Sequence, residues 1–171
     1  CLLKSKIHEE RFVALLILTM QYAQGDPRAR EGIYKFYLKN TRYINNWDLV
    51  DVSAEKIVGP FLVGKPKNVL YKLARSFSLW ERRIAILSTF HFIKMNQFDD
   101  TIKIAAVLLN DKEDLIHKAV GWMLREVGKR DQACEEKFLK KYYKKMPRTM
   151  LRYAIERFSP LRRKAYLKGT V

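Results

Sequence analysis

The chain has 171 residues, of which 34 are Lys or Arg against 18 Asp or Glu, a formal net charge of +16. A basic surplus of that size puts nucleic acid first among possible partners, an anionic membrane surface second and simple solubility third; its spread from Lys4 to Lys168 favours a folded, positively lined surface over a disordered arm. With 48% hydrophobic residues, a chain of this length buries roughly 70% of its unfolded surface and needs neither metal nor disulfide to fold.

The chain opens at Cys1 with no initiator Met, and apolar helical patterning starts almost at once, so we expect further sequence on its N-terminal side. A processed lipoprotein also begins with Cys, but nothing else here supports that reading. The longest apolar run, Phe12 to Leu18, falls far short of the roughly 18 residues of a spanning helix. No secretory leader precedes it, and the chain reads as a soluble, cytoplasmic protein.

Helical periodicity then runs almost throughout, with hardly any strand-like alternation. Stretches at 8–24 and 27–40 meet at Gly25-Asp26-Pro27, where Asp26 suits an N-cap and Pro27 the first helical position. Further stretches fall at 47–63, with a possible break near Ser53, and at 66–77, 79–95, 99–109, 113–129, 131–145, 147–158 and 160–168. Short turns between modest helices suit a bundle or a stacked array of helix pairs. Arg82-Arg83-Ile84-Ala85-Ile86-Leu87 and Lys118-Ala119-Val120-Gly121-Trp122-Met123, about one two-helix repeat apart, give the array slight support. No linker or low-complexity segment interrupts the chain, which reads as one domain over 1–171.

Four residues depart from the pattern around them. Trp47 and Asp51 lie four apart, on one face of a helix, so both can address the same ligand. A carboxylate repels phosphate, and a polyanion-binding surface gains from one only if it does chemistry that a cation cannot. The plain alternatives are a core Trp opening an amphipathic helix and a surface or capping Asp. Arg83 sits among Leu79, Trp80, Leu87 and Phe90, where a guanidinium needs a carboxylate or phosphate partner; a structural ion pair or a snorkelling stem explains it as well as function does. Arg82 reads as a solvated charge. In the stretch 113–129, Ile116, Val120, Met123, Leu124 and Val127 form the apolar stripe, while Trp122 lies about 140° away among Lys118, Arg125 and Lys129. Packing against a neighbouring pair competes with nucleic-acid contact there, and the basic company favours the contact.

Cys1, Cys134, His8, His91 and His117 show no metal-ligand spacing. Asp99 and Asp100 at a helix start suit capping, and there is no phosphate loop, nucleophile elbow or triad.

Taken together, Asn-Trp-Asp-Leu-Val-Asp (46–51), Leu-Trp-Glu-Arg-Arg-Ile-Ala-Ile-Leu-Ser (79–88), Lys-Ala-Val-Gly-Trp-Met-Leu-Arg-Glu (118–126) and Met-Pro-Arg-Thr-Met-Leu-Arg-Tyr-Ala-Ile-Glu (146–156) closely resemble bacterial DNA alkylation repair proteins of the AlkD type. The resemblance covers nearly the whole chain. It implies an all-α, right-handed superhelix of HEAT-like repeats, a single curved solenoid with a basic concave face, that excises N3- or N7-alkylated purines from duplex DNA. It carries the catalytic roles to Trp47, Asp51 and Trp122 and a supporting DNA contact to Arg83, all expected on one concave surface. The resemblance also implies further N-terminal helices, after which we expect this chain to begin.

Lys118, Arg125, Lys129, Arg148 and Arg152 are expected to line the groove and hold phosphates. The expected reaction is hydrolysis by water, with no metal or cofactor, no membrane and no obligate protein partner, by a monomer. A lysine Schiff base would give a lyase instead, but no lysine stands out. The competing reading is a noncatalytic helical-repeat module that binds nucleic acid or an acidic protein through the same face. Such a binder has no need of Asp51.

Overall fold

The computed structural model describes residues 2–171; Cys1, to which the sequence gives no ligand role, lies outside them. Every regular element among the described residues is helical. Two compact units divide at His91 and Phe92.

In the first unit α1 (His8–Gln24) packs along α3 (Trp47–Phe61), and α2 (Pro27–Lys39) packs on both. The short α4 (Asn68–Leu73) leads into α5 (Leu79–Lys94). Asp26 caps α2 by accepting the Ala29 amide at 2.7 Å, with Pro27 at the start of the helix. Leu15, Tyr37, Ile44, Leu49, Val50, Ile57, Leu70, Ile84 and Ile86 make the core. α3 reaches α5 closely because position 59 is Gly: a Cβ there would stand 2.6 Å from the His91 Cβ and 2.7 Å from the Ser88 carbonyl.

In the second unit α7 (Asp114–Gly128) is the central helix, packed by α6 (Asp99–Val107), α8 (Gln132–Tyr142) and α9 (Arg148–Ala154). Gly121 lets α9 approach, since a Cβ there would lie 2.5 Å from both the Met150 carbonyl and the Tyr153 Cβ. Ile116, Val120, Met123, Leu124 and Val127, the stripe read from the sequence, are all buried. α10 (Pro160–Lys168) closes the unit, its Tyr166 ring meeting Tyr143 and Phe158 edge-on.

Within each unit, successive helices pack as pairs beside their neighbours, which is an all-α helical-repeat fold. Several helices are shorter than their periodicity suggests. α4 stops at Leu73, and α8 stops at Tyr142 ahead of Pro147. α9 tightens into a 3-10 turn at Ile155–Arg157. The possible break near Ser53 is absent, because its hydroxyl bonds the Leu49 carbonyl one turn back at 2.6 Å without opening the helix.

Candidate active site

Trp47 is the first residue of α3, and Asn46 caps the helix there by accepting the Trp47 amide at 2.9 Å. Leu49 and Val50 turn into the core. Trp47 and Asp51, one turn apart, share another face, on which the indole is 52% exposed. It is therefore not the core residue that its position would ordinarily make it.

Arg83 lies in the first turns of α5, a helix whose run Ile84–Leu87 is wholly buried, and is itself only 5% exposed. A charge so placed costs several kcal/mol unless it is paired. Its partner is Asp51: Nε donates to Oδ1 and Nη2 to Oδ2, each at 2.8 Å. This two-pronged geometry fixes the carboxylate in plane and position. Asp51 stays the more exposed of the two, with its side chain at 19% against 6%.

Beneath this pair lies a buried hydroxyl chain. Tyr37 of α2 bonds Ser53 Oγ at 2.9 Å, and Ser53 bonds the Leu49 carbonyl. Burial pushes the Tyr37 hydroxyl far above its ordinary pKa, against the Ser53 hydrogen bond and with the charge of Asp51, so it stays protonated. At the other side His8 of α1 meets Asp48 Oδ2 at 2.7 Å, while Asp48 Oδ1 accepts the Leu49 amide at 2.7 Å. The first two turns of α3 are thus held from α1, α2 and α5.

Trp122 lies on α7 in the second unit and is half-buried. The cations near it differ in engagement. Lys118 pairs with Asp114 at 2.7 Å. Arg125 pairs with Glu156, and Lys129 reaches the buried Glu126 at 2.6 Å. Arg148 donates to the Leu167 carbonyl at 2.7 Å from an exposed position, and Arg152 is exposed. The structure thus brings Trp47, Asp51 and Arg83 together in the first unit, and places Trp122 and the five cations expected at a groove in the second. Among the described residues, no three His, Cys, Asp or Glu side chains are grouped so as to hold a metal ion.

The sequence over residues 1–158 matches the family described as DNA alkylation repair enzyme. The chain belongs to that family. Among solved structures it is similar to one described as "Predicted DNA alkylation repair enzyme from Enterococcus faecalis", with a TM-score of 0.71 over 93% of this chain and 73% of that one. At 17% identity that likeness speaks for the fold alone. No curated protein matches the chain. Membership of the DNA alkylation repair enzyme family gives the chain a role in DNA repair, with DNA as substrate, and the net charge of +16 suits that substrate.

Sequence reasoning missed three supports of this DNA alkylation repair enzyme's α3 start: Tyr37, Ser53 and His8. The first two look like ordinary helix residues, and no spacing joins them. It also missed Glu126, whose place between Arg125 and Val127 gives no sign of the ion pairs it gathers. A signal existed in Asp48 beside Asn46, since two polar residues at a helix start often cap it.

Proposed function

We propose that the chain is a monofunctional DNA glycosylase that hydrolyses the N-glycosidic bond of cationic N3- or N7-alkylated purines in duplex DNA. What carries the reading is the Asp51 carboxylate, held in plane by Arg83 and set one helical turn from an exposed indole in a strongly basic protein. An alkylated purine carries positive charge and leaves neutral, so its glycosidic bond is already weak. An indole face attracts it through the ring quadrupole. Trp47 is proposed for this contact, and Trp122 for a second of the same kind.

Asp51 would stabilise the oxocarbenium-like sugar and position the attacking water, as carboxylates do in other glycoside cleavage. Arg83 positions that carboxylate. A cationic leaving base needs no protonating acid, and the reaction as proposed uses water alone. Arg148 and Arg152 are exposed and suited to phosphates; Lys118, Arg125 and Lys129 would first exchange their carboxylate partners.

One observation favours a second reading. A largely buried, fork-shaped Arg–Asp pair is also what a purely structural tie between α3 and α5 looks like, and a noncatalytic DNA-binding module would keep it for that reason. Release of free 7-methylguanine from methylated duplex separates the two. The glycosylase releases the base and leaves an abasic site without strand cleavage; a protein that binds the duplex and releases nothing is the module.

A further inference from the structure

From Lys56 to Trp80 the chain carries Lys56, Lys65, Lys67, Lys72 and Arg75 and no carboxylate. Within this stretch, in the turn between α4 and α5, Phe77 is fully exposed, more so than any other large apolar side chain among the described residues. An exposed ring forgoes the burial that a Phe ordinarily gains. The turn that presents it is braced. Arg82 Nη1 donates to the Ser76 and Phe77 carbonyls at 3.0 and 2.9 Å, the Ser76 amide donates to Leu73 at 3.0 Å, and the Ser78 amide donates to Ser76 Oγ at 3.1 Å.

Glu81, the first carboxylate after the ring, accepts from Ser76 Oγ with one oxygen and from Thr41 Oγ1 at 2.7 Å with the other. Its charge is turned toward the protein's own hydroxyls. Beside the ring lies a depression of about 550 Å³ lined by apolar Leu38, Val69 and Leu73, cationic Lys72 and Arg75, and the bonded pair Ser76 and Glu81. Arg75 holds its own turn through Nη1 on the Tyr71 carbonyl at 2.9 Å.

The bond from Thr41 to Glu81 ties the start of α5 to the 3-10 turn Thr41–Tyr43, and that from Arg83 to Asp51 ties it to α3. Phe77 thus stands just ahead of the α5 turn that carries both ties. An aromatic ring with cations beside it and no carboxylate free to repel phosphate fits a nucleic-acid strand better than a protein groove. We propose that Phe77 is a DNA-contacting wedge, its ring packed on a sugar–base edge of the duplex while Lys72 and Arg75 take the flanking phosphates. The proposal rests on the reading of the chain as a DNA-acting enzyme.

Fluorescence anisotropy with an undamaged duplex at several salt concentrations tests it. Phe77→Ala weakens binding about 5- to 20-fold, the scale of one lost stacking contact, and leaves the salt slope unchanged because no cation is removed. Phe77→Trp restores the affinity. The double variant Lys72→Ala/Arg75→Ala flattens the slope. The ring is solvent-exposed, so the melting temperature of Phe77→Ala matches that of the unmodified chain. Equal affinity of Phe77→Ala and the unmodified chain, or Phe77→Trp binding no better than Phe77→Ala, overturns the wedge while leaving the glycosylase reading intact. An unmodified chain that binds no duplex even at low salt overturns both.

Discussion

Removing the guanidinium at position 83 would leave the Asp51 carboxylate with its fork partner gone and α5 with a cavity in its buried run. Arg83→Ala is therefore expected to lower unfolding free energy by about 3 kcal/mol in urea titrations, the scale of breaking a buried pair from one side. Trp47→Ala is its opposite. The indole is half in solvent, so stability should stay within about 0.5 kcal/mol, while single-turnover excision of 7-methylguanine falls by roughly tenfold or more if the ring holds the cationic base. The sequence marks Trp47 with Asp51, and Arg83 apart from them, as out of pattern, but it does not show that Asp51 and Arg83 are each other's partner. Helical periodicity places a side chain on a face; which neighbouring helix that face meets is decided by packing.

Close approaches at glycine set how the helices meet. Gly121→Ala would push a methyl into the α9 backbone and Tyr153, both at 2.5 Å, and should cost about 1–3 kcal/mol, read as a lower melting temperature. The contact between α7 and α8 carries a different device. Glu135 of α8 is buried against Gly128, and its Oε1 has no hydrogen-bond partner. Burial first, then the neighbouring Glu136, pushes its carboxyl up from 4.5 to about 8, with Arg125 pulling the other way.

A carboxyl raised in the folded state favours folding fully below its unfolded value and loses that contribution as pH climbs through the folded one. Stability should thus decline from about pH 4.5 to about pH 8 and then level. Glu135→Gln should remove this decline and be more stable than the unmodified chain at pH 8 by on the order of 1–3 kcal/mol, as chemical denaturation at pH 5, 7 and 9 would show. The helices themselves are legible as periodic runs, and α10 matches its predicted limits. Their ends are less so, because α4, α8 and α9 stop where turn hydrogen bonds take over from the ladder. The three-residue 3-10 turns at Leu2–Lys4 and Thr41–Tyr43 are too short to carry a period.

At the scale of the whole molecule, charge and family agree on DNA, and the question left for chemistry is why so basic a chain places a carboxylate beside an exposed indole. On the proposed mechanism, Asp51 faces positive charge developing on the sugar, where a cation would be harmful. Asp51→Asn keeps the shape and removes the charge. Single-turnover excision of 7-methylguanine and equilibrium binding, measured on the same duplex with the unmodified chain and this variant, test the answer directly. Excision is expected to slow by roughly a hundredfold or more, the scale of losing one electrostatic stabiliser, while affinity for DNA holds or rises slightly as a phosphate-repelling charge is lost. Full excision activity in Asp51→Asn, or a parallel fall of binding and rate, would contradict it.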